Sequence, residues 1–467
     1  MRRRLFLIAQ LLLIAISLPT FAKASADPRL KNAFRRPANN GWTFVHLKGT
    51  PAEIGFQHGY LLAPEIEDSL SVFKLELTHE LKKEWQFFRE AAQAMMWPHI
   101  DQEYREELQG ITDGANARGL KLDLWDIVAL NAAQEWFYYV PQYDKEHGIK
   151  AEAALIMPER CSAFVATGSY TRDGKIVIAH NNWSYYLDGA RWTIIFDIVP
   201  AQGHRMLMDG LPGFIHSADD FGLNSVGMVI TETTISRFSG FDPAGIPEFV
   251  RARKAMQYSA SIDDFARIMK KGNNGGYAND WLIADTRNNE IASLELGLKN
   301  VTLQRSRDGY FVSANYPINE RLAREETSFD LTDMSSAPNA RRVRWEQLME
   351  ENKGKIDLGA AQRFLADHYD TFDKKIEPSE RTLCGHVELS PRGNSWLPPY
   401  GIGGTTQNKA TDAKLAAKGA FAASAGHACG IDFKAAEHLR AHPEFSWQKD
   451  LLRNLDSHPW TTFTTAK

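Results

Sequence analysis

The chain has 467 residues, of which 43% are hydrophobic, 11% aromatic and 24% charged, and its formal net charge is −4. These values indicate an ordinary globular protein with ample material for a core. The weakly acidic balance gives no electrostatic reason to bind nucleic acid or an anionic membrane, so we expect neither partner.

Residues 1–26 have the pattern of an export signal. Three arginines at positions 2–4 precede an apolar run, residues 5–18, which is too short to span a membrane, and small residues up to Ala26 offer a cleavage site. The arginines partly fit a twin-arginine signal, but a general-secretion signal fits better. No later stretch approaches about 18 uninterrupted apolar residues. We therefore expect a periplasmic or secreted protein without stable membrane insertion.

The segment from residue 27 to residue 160 is predicted to be mostly helical. Apolar residues recur at helical intervals in residues 51–83, 104–117 and 124–137. From Tyr139 to Glu159 the chain is charged and rich in alanine without a clear period, which indicates a linker.

From Cys161 the pattern changes to strands. Short β-branched or alternating runs are separated by turns rich in Asp, Gly and Asn, and they predict strands at residues 161–167, 174–179, 192–199, 204–208, 225–233, 281–285 and 291–296. Helical patterns are predicted at residues 247–258, 262–270, 340–351 and 358–369. This order predicts two sheets with helical layers outside them, within an α+β fold.

Cys161 is the first candidate for chemistry. It begins a predicted strand, and the Asp173-Gly174 turn returns the run His180-Asn181-Asn182-Trp183 beside it. A cysteine thiol attacks as the thiolate, so it needs a base. If the chain cuts itself between Arg160 and Cys161, the new α-amine can be that base. The alternative is a buried structural cysteine.

Three further groups of residues carry possible roles. His180 can hold a proton, and Asn182 or the Asn279 that follows a glycine-rich loop can donate to an oxyanion. Arg341 or Arg342 can bind a substrate carboxylate or phosphate, although a solvated helix face is the plainer interpretation.

The other two cysteines, Cys384 and Cys429, lie late in the chain. An odd number of cysteines in an oxidising compartment leaves one thiol over, so these two either form a disulfide or remain buried free thiols.

Together these segments resemble the cysteine-type N-terminal-nucleophile hydrolases, in particular the isopenicillin N acyltransferase-like peptidases and the phospholipase B-like proteins. The resemblance covers most of the mature chain. It rests on the runs ELQGITDGA (Glu107–Ala115), CSAF (Cys161–Phe164), AHNNW (Ala179–Trp183) and YANDWLIAD (Tyr277–Asp285).

The resemblance implies a four-layer αββα sandwich that cuts itself before Cys161. It implies that Asn279 is the oxyanion donor, helped by backbone N–H groups near Asn182 and Trp183, and that His180 matches the histidine of the phospholipase B-like proteins. Acyltransferase members carry an aspartate where this chain has Ser184, a departure that favours the phospholipase B-like branch.

The sequence therefore predicts an exported cysteine hydrolase of acyl amide bonds, with residues 161–467 as the catalytic portion. Two chains from one precursor stay associated, and no metal or cofactor is expected. The catalytic residues are Cys161, His180, Asn182 and Asn279, and the substrate-binding residues are Trp183, Ser184, Asp280, Arg341 and Arg342. The alternatives are a fatty-acyl ester hydrolase of phospholipids and an exported binding protein without catalysis.

Overall fold

The computed structural model describes residues 27–150, 161–218 and 221–466. The predicted signal peptide and Arg160 of the predicted cleavage site lie outside these residues. Among the described residues, no helix combines the length and the apolar character needed to cross a membrane.

The helices of the described residues occupy the following ranges: α1 (Pro51–Leu61), α2 (Ala63–Leu81), α3 (Trp85–Ala91), α4 (Gln102–Ala117), α5 (Leu124–Asn131), α6 (Trp136–Glu146), α7 (Tyr186–Gly189), α8 (Glu248–Tyr258), α9 (Ile262–Lys270), α10 (Glu320–Glu326), α11 (Ala337–Glu351), α12 (Leu358–Leu365), α13 (Ala413–Ala416) and α14 (Ala435–Ala441).

The strands are β1 (Phe34–Arg35), β2 (Thr43–Gly49), β3 (Ser162–Thr167), β4 (Val177–Tyr185), β5 (Ile194–Pro200), β6 (Met206–Gly210), β7 (Gly222–Asn224), β8 (Met228–Thr234), β9 (Asn279–Asp285), β10 (Glu290–Leu296), β11 (Val301–Ser306), β12 (Gly309–Ser313), β13 (Tyr369–Asp370), β14 (Lys375–Ile376), β15 (Gly403–Asp412), β16 (Ala420–Ala425) and β17 (Thr461–Thr464).

Two large sheets face each other. One sheet has the order β1-β2-β5-β6-β7-β8-β9-β10-β11, the other has the order β12-β3-β4-β15-β16-β17, and β13 pairs with β14 apart from both. Apolar side chains of alternating strand positions, such as Val165, Ile178 and Leu282, fill the space between the sheets.

Helices cover both outer faces. The first sheet packs its other face on a core that includes residues of α1, α2, α4, α5, α8 and α9, and the second sheet packs on α11 and α12. The predicted four-layer αββα sandwich is confirmed.

The chain on both sides of Cys161 contributes to one sheet. Strand β2, which precedes Cys161, runs parallel to β5, which follows it, and Thr43 to Gly49 are in register with Ile194 to Pro200. The backbone hydrogen bonds of this pair therefore join the two predicted chains directly.

The last described residues are tied to the beginning of the chain. Asn40 Nδ2 donates to Thr461 Oγ1 over 2.8 Å, and the rings of Trp42 and Phe463 meet edge to face. At the end, the backbone N–H of Ala466 donates to buried Asp197 over 2.8 Å.

Several predicted boundaries were wrong. Helix α6 extends to Glu146, inside the segment predicted as a linker from Tyr139, because Tyr139 and Tyr143 pack on the ring of Phe87. The predicted helix over residues 51–83 is two helices, and the one predicted over residues 358–369 ends at Leu365.

Glycines allow α1 and α4 to cross at very short range. A Cβ atom added at Gly59 would lie 2.0 Å from the carbonyl oxygen of Ile111, and one added at Gly114 would lie 2.1 Å from that of Phe56. These partners are backbone atoms, so a larger residue requires the helices to separate.

We therefore expect Gly59→Ala to lower the free energy of unfolding by roughly 1–3 kcal/mol or more, as overpacking does. Gly359→Ala in the first turn of α12 is the matched control, because its nearest neighbouring atoms would lie 3.5 Å away. That control should leave the free energy of unfolding unchanged or raise it by up to ~1 kcal/mol. Denaturant unfolding measures both, and equal effects of the two variants would contradict the tight crossing.

Candidate active site

Cys161 lies directly before β3, at the end of a hairpin with β4. The pairing of Ser162 with Asn181 places Cys161 opposite Asn182, and the Cys161 thiol donates to Asn182 Oδ1 over 3.5 Å. Cys161 is fully buried. Its backbone φ is +86°, a conformation that residues with a Cβ rarely adopt.

Asn182 is oriented from the other side by a β-bulge in β15. Thr405 pairs with Trp183 and Gln407 with Asn182, which leaves Thr406 as the extra residue. Thr406 Oγ1 accepts a hydrogen bond from Asn182 Nδ2 over 3.1 Å. Bulges commonly aim a side chain in this way beside active sites. The Asn182 amide therefore presents its oxygen to the thiol.

Glu232 brings a carboxylate to the same thiol from the facing sheet. Its Oε1 lies 4.0 Å from Cys161 Sγ and accepts a hydrogen bond from the Tyr277 hydroxyl over 2.8 Å. Glu232 is completely buried in β8. Glu232 was not among the residues predicted from the sequence, although a charged residue inside the otherwise neutral run Met228–Thr234 was a usable signal.

Arg341 holds the backbone of Cys161. Its Nη1 donates to the Cys161 carbonyl oxygen over 2.7 Å and to Ser162 Oγ over 3.1 Å, and its Nη2 donates to Asn315 Oδ1 over 2.9 Å. The guanidinium carbon lies 4.3 Å from the ring centre of Trp183. Arg341 is fully buried, so these contacts replace its hydration.

Arg342, the other candidate arginine, occupies a different environment. Its guanidinium lies over the ring of Tyr316 at 5.3 Å. It is one residue further along α11 and therefore turns about 100° away from Arg341. The structure thus brings Arg341 to Cys161.

Trp183 and Ser184 lie on opposite faces of β4 because strand side chains alternate. Trp183 points away from the face of Asn182 and supports Arg341. Ser184 shares the face of Asn182, and its Oγ lies 2.7 and 2.8 Å from the two carboxylate oxygens of Asp188. Where the acyltransferase-like members carry an aspartate, this chain therefore has a serine that is hydrogen-bonded to the nearby Asp188.

Asn279 begins β9, on the glycine-rich loop that carries Tyr277. It is buried, and neither atom of its amide group has a hydrogen-bond partner among the described residues. Buried amides are rarely left in this state without a ligand or water. Asn279 is therefore available to donate to a bound carbonyl oxygen.

Asp280 faces the opposite side of β9. Its carboxylate accepts a hydrogen bond from Ser293 over 2.6 Å, and burial raises its pKa to about 6. The alternation of side chains separates it from the face of Asn279.

His180 shares the inter-sheet face of β4 with Asn182, two positions away. It pairs with Ala163 of β3, and its ring centre lies 6.4 Å from that of Phe221 on the facing sheet. The described contacts of the Cys161 thiol include Asn182 and Glu232.

Cys384 and Cys429 are free thiols that lie close together, next to His386. Burial raises the pKa of Cys384, whereas a hydrogen bond from Cys384 and the nearby histidines hold that of Cys429 well below its ordinary value. Their disulfide stays a prediction.

The substitution Arg341→Lys tests whether the hydrogen bonds of Arg341 stabilise the backbone at Cys161. An ammonium group cannot reach the three acceptors that the planar guanidinium bridges. Because buried acceptors lose charge-assisted hydrogen bonds, we expect the free energy of unfolding to fall by about 2–3 kcal/mol. Arg342→Lys is the control, with a change below about 1 kcal/mol. Denaturant unfolding of both variants is the measurement, and a stable Arg341→Lys protein would refute the role.

Comparison with known proteins places this arrangement in a family. The sequence pattern of the phospholipase B family matches residues 61–462. Phospholipase B-like 1 from Bos taurus is 26% identical over 313 residues, which span 57% of this chain and 56% of that protein. The human phospholipase B-like 1 is 23% identical over 424 residues, 78% of this chain and 72% of that protein.

A solved structure of a mutant conjugated bile acid hydrolase from Clostridium perfringens also aligns, over 66% of this chain and 97% of that chain, with 11% identity and a TM-score of 0.34. At that score it adds nothing to the assignment. The predicted resemblance to phospholipase B-like proteins is confirmed by the family match, which extends across Cys161, Asn182 and Asn279 and over most of the sequence. The chain belongs to the phospholipase B family.

Proposed function

We propose that this protein is a hydrolase that transfers an acyl group first to Cys161 and then to water. The observation that carries the proposal is the buried thiol itself, held between Asn182 at 3.5 Å and Glu232 at 4.0 Å. A structural cysteine needs no such polar surroundings, whereas a nucleophile needs groups that control its proton.

The reaction follows from these groups. The Cys161 thiolate attacks the acyl carbonyl, and the negative charge that develops on oxygen is stabilised by the free amide of Asn279. The leaving group departs with the proton taken from the thiol. Water then attacks the thioester, which releases the acid and restores the thiol.

The base is proposed to be the α-amine of Cys161, which exists only after the bond to Arg160 is cut. In the uncut chain the thiol would attack the Arg160 carbonyl carbon. A C–S bond forms, the C–N bond breaks, and the proton of the thiol passes to the new amine. Water hydrolyses this thioester and leaves a free carboxylate on Arg160.

Backbone strain at Cys161 supports this self-cleavage. A non-glycine residue with a φ of +86° costs on the order of 1–3 kcal/mol, and φ is defined through the carbonyl group of the preceding residue. Cutting that bond removes the constraint. Arg341 meanwhile keeps the carbonyl group of Cys161 in place.

Acyl amides are the first candidate substrates, because self-cleavage is itself the attack of this thiol on an amide. Fatty-acyl esters of phospholipids are the second candidate. They are favoured by the family, whose name and whose relatives' names refer to a phospholipase B. The same nucleophile and oxyanion donor serve both bonds.

Catalysis by these residues predicts a graded loss of turnover. Asn279→Ala should lower kcat by roughly 100- to 1000-fold, the usual cost of one oxyanion donor. Cys161→Ala should abolish turnover. Asn273→Ala, in the same loop, is the control, because Asn273 donates to the Gly297 carbonyl and should leave kcat within about tenfold.

The assay uses N-acyl amides and phosphatidylcholine micelles side by side. Cleavage of the lipid alone selects the ester function. Full turnover of both substrates by Asn279→Ala and Cys161→Ala would reject the mechanism. A thiol-directed acyl probe that fails to label Cys161 in the folded protein would instead indicate a binding protein without catalysis.

Self-cleavage predicts two fragments, residues 27–160 or shorter and residues 161–467. They should co-purify without denaturant, because β2 and β5 pair across the cut. Intact mass and N-terminal sequencing detect the new terminus at Cys161, and Cys161→Ala should remain one chain. A fully active, uncut wild-type protein would refute this step while leaving the hydrolase proposal open.

A further inference from the structure

Four potential metal ligands from three separate segments of the chain lie close together. His368 follows α12, Cys384 and His386 lie in the loop before β15, and Cys429 follows β16. One ligand atom from each residue lies within 4.8 Å of every other. Cys384 and His386 are fully buried, whereas His368 and Cys429 are partly exposed.

The separations of the thiols from His386 fit a tetrahedral ion. Cys384 Sγ lies 3.6 Å from His386 Nε2, and Cys429 Sγ lies 3.5 Å from the same nitrogen. Zinc bonds of about 2.3 Å to sulfur and about 2.1 Å to nitrogen, at the tetrahedral angle, place the two ligand atoms about 3.6 Å apart. Two thiols and two imidazoles are also a common ligand set of structural zinc sites.

A second layer of residues orients the central histidine. His386 Nδ1 lies 2.9 Å from Glu388 Oε1, and the other carboxylate oxygen accepts a hydrogen bond from the Tyr186 hydroxyl over 2.6 Å. A carboxylate on one ring nitrogen directs the other towards a metal. This directs Nε2 of His386 to the two thiols.

We propose that His368, Cys384, His386 and Cys429 bind a zinc ion, at a site separate from Cys161. The site joins three segments of the chain: the one after α12, the loop before β15 and the one after β16. Gly385, between two of the ligands, lies against Trp183: a Cβ atom there would be 2.0 Å from the indole ring. The Leu383 carbonyl accepts from Asn181 Nδ2 over 2.8 Å. The ion therefore secures the loop that supports β4 behind the nucleophile.

The test measures metal in the full-length protein, purified through a tag without histidines and without chelators. Wild-type protein should contain about one zinc per chain. Cobalt in its place should give visible d–d bands of tetrahedral type and near-ultraviolet thiolate-to-cobalt charge transfer. Cys384→Ser and His368→Gln should lower the affinity for cobalt at least tenfold. Cys161→Ser, which removes a buried thiol elsewhere, should bind the ion as wild type does.

Two outcomes would overturn the proposal. One is a Cys384–Cys429 disulfide, detected by mass spectrometry after alkylation without reduction, in protein that contains no metal. The other is metal content unchanged in Cys384→Ser and Cys429→Ser. If those variants do not fold, wild-type protein stripped by a chelator and kept reduced is titrated with cobalt, and the absence of charge-transfer bands rejects the site. Neither result depends on catalytic activity.

Discussion

The buried guanidinium of Arg341 is the contact on which the arrangement around Cys161 depends. A charge taken out of water must be matched by acceptors in fixed positions, and here they are the Cys161 carbonyl, Ser162 and Asn315. Because these acceptors come from separate parts of the chain, helix α11 is locked onto the start of β3. Cys161 thus lies at a rigid strand end rather than on a loop, the kind of position that a precise reactive site needs.

Local features of the site could be predicted from the sequence, whereas contacts between the sheets could not. The Asp173-Gly174 turn predicted a hairpin that returns Asn182 beside Cys161. The pairing of β3 with β4 confirms that position. Glu232 was missed because its approach depends on how one sheet packs on the other. The choice between Arg341 and Arg342 required the rotational phase of α11, in which polar residues such as Asn339 and Arg341 are buried beside the apolar ones, so the sequence pattern does not reveal that phase.

The cluster around His386 shows the same limit more strongly. Its ligands come from three segments of the chain, around His368, at Cys384 and His386, and at Cys429, and this spacing matches none of the short motifs by which metal sites are read from sequence. Cys384 and Cys429 were noted in the sequence, but the same two thiols can form a disulfide or bind a metal, and the sequence does not distinguish these uses. The positions of His368 and His386 beside the two thiols favour a bound metal over a disulfide. Those positions depend on how the helical layer packs on the second sheet.

The ties between residues 40–42 and residues 461–463 have a consequence for biosynthesis. A ribosome delivers the beginning of this chain long before the residues that cover it, so the ring of Trp42 stays without its Phe463 contact until the chain is almost complete. Such long-range closure slows folding and leaves apolar surface exposed to aggregation. Premature termination anywhere before residue 461 would therefore yield a product prone to association, and assistance by chaperones would be most useful during this interval.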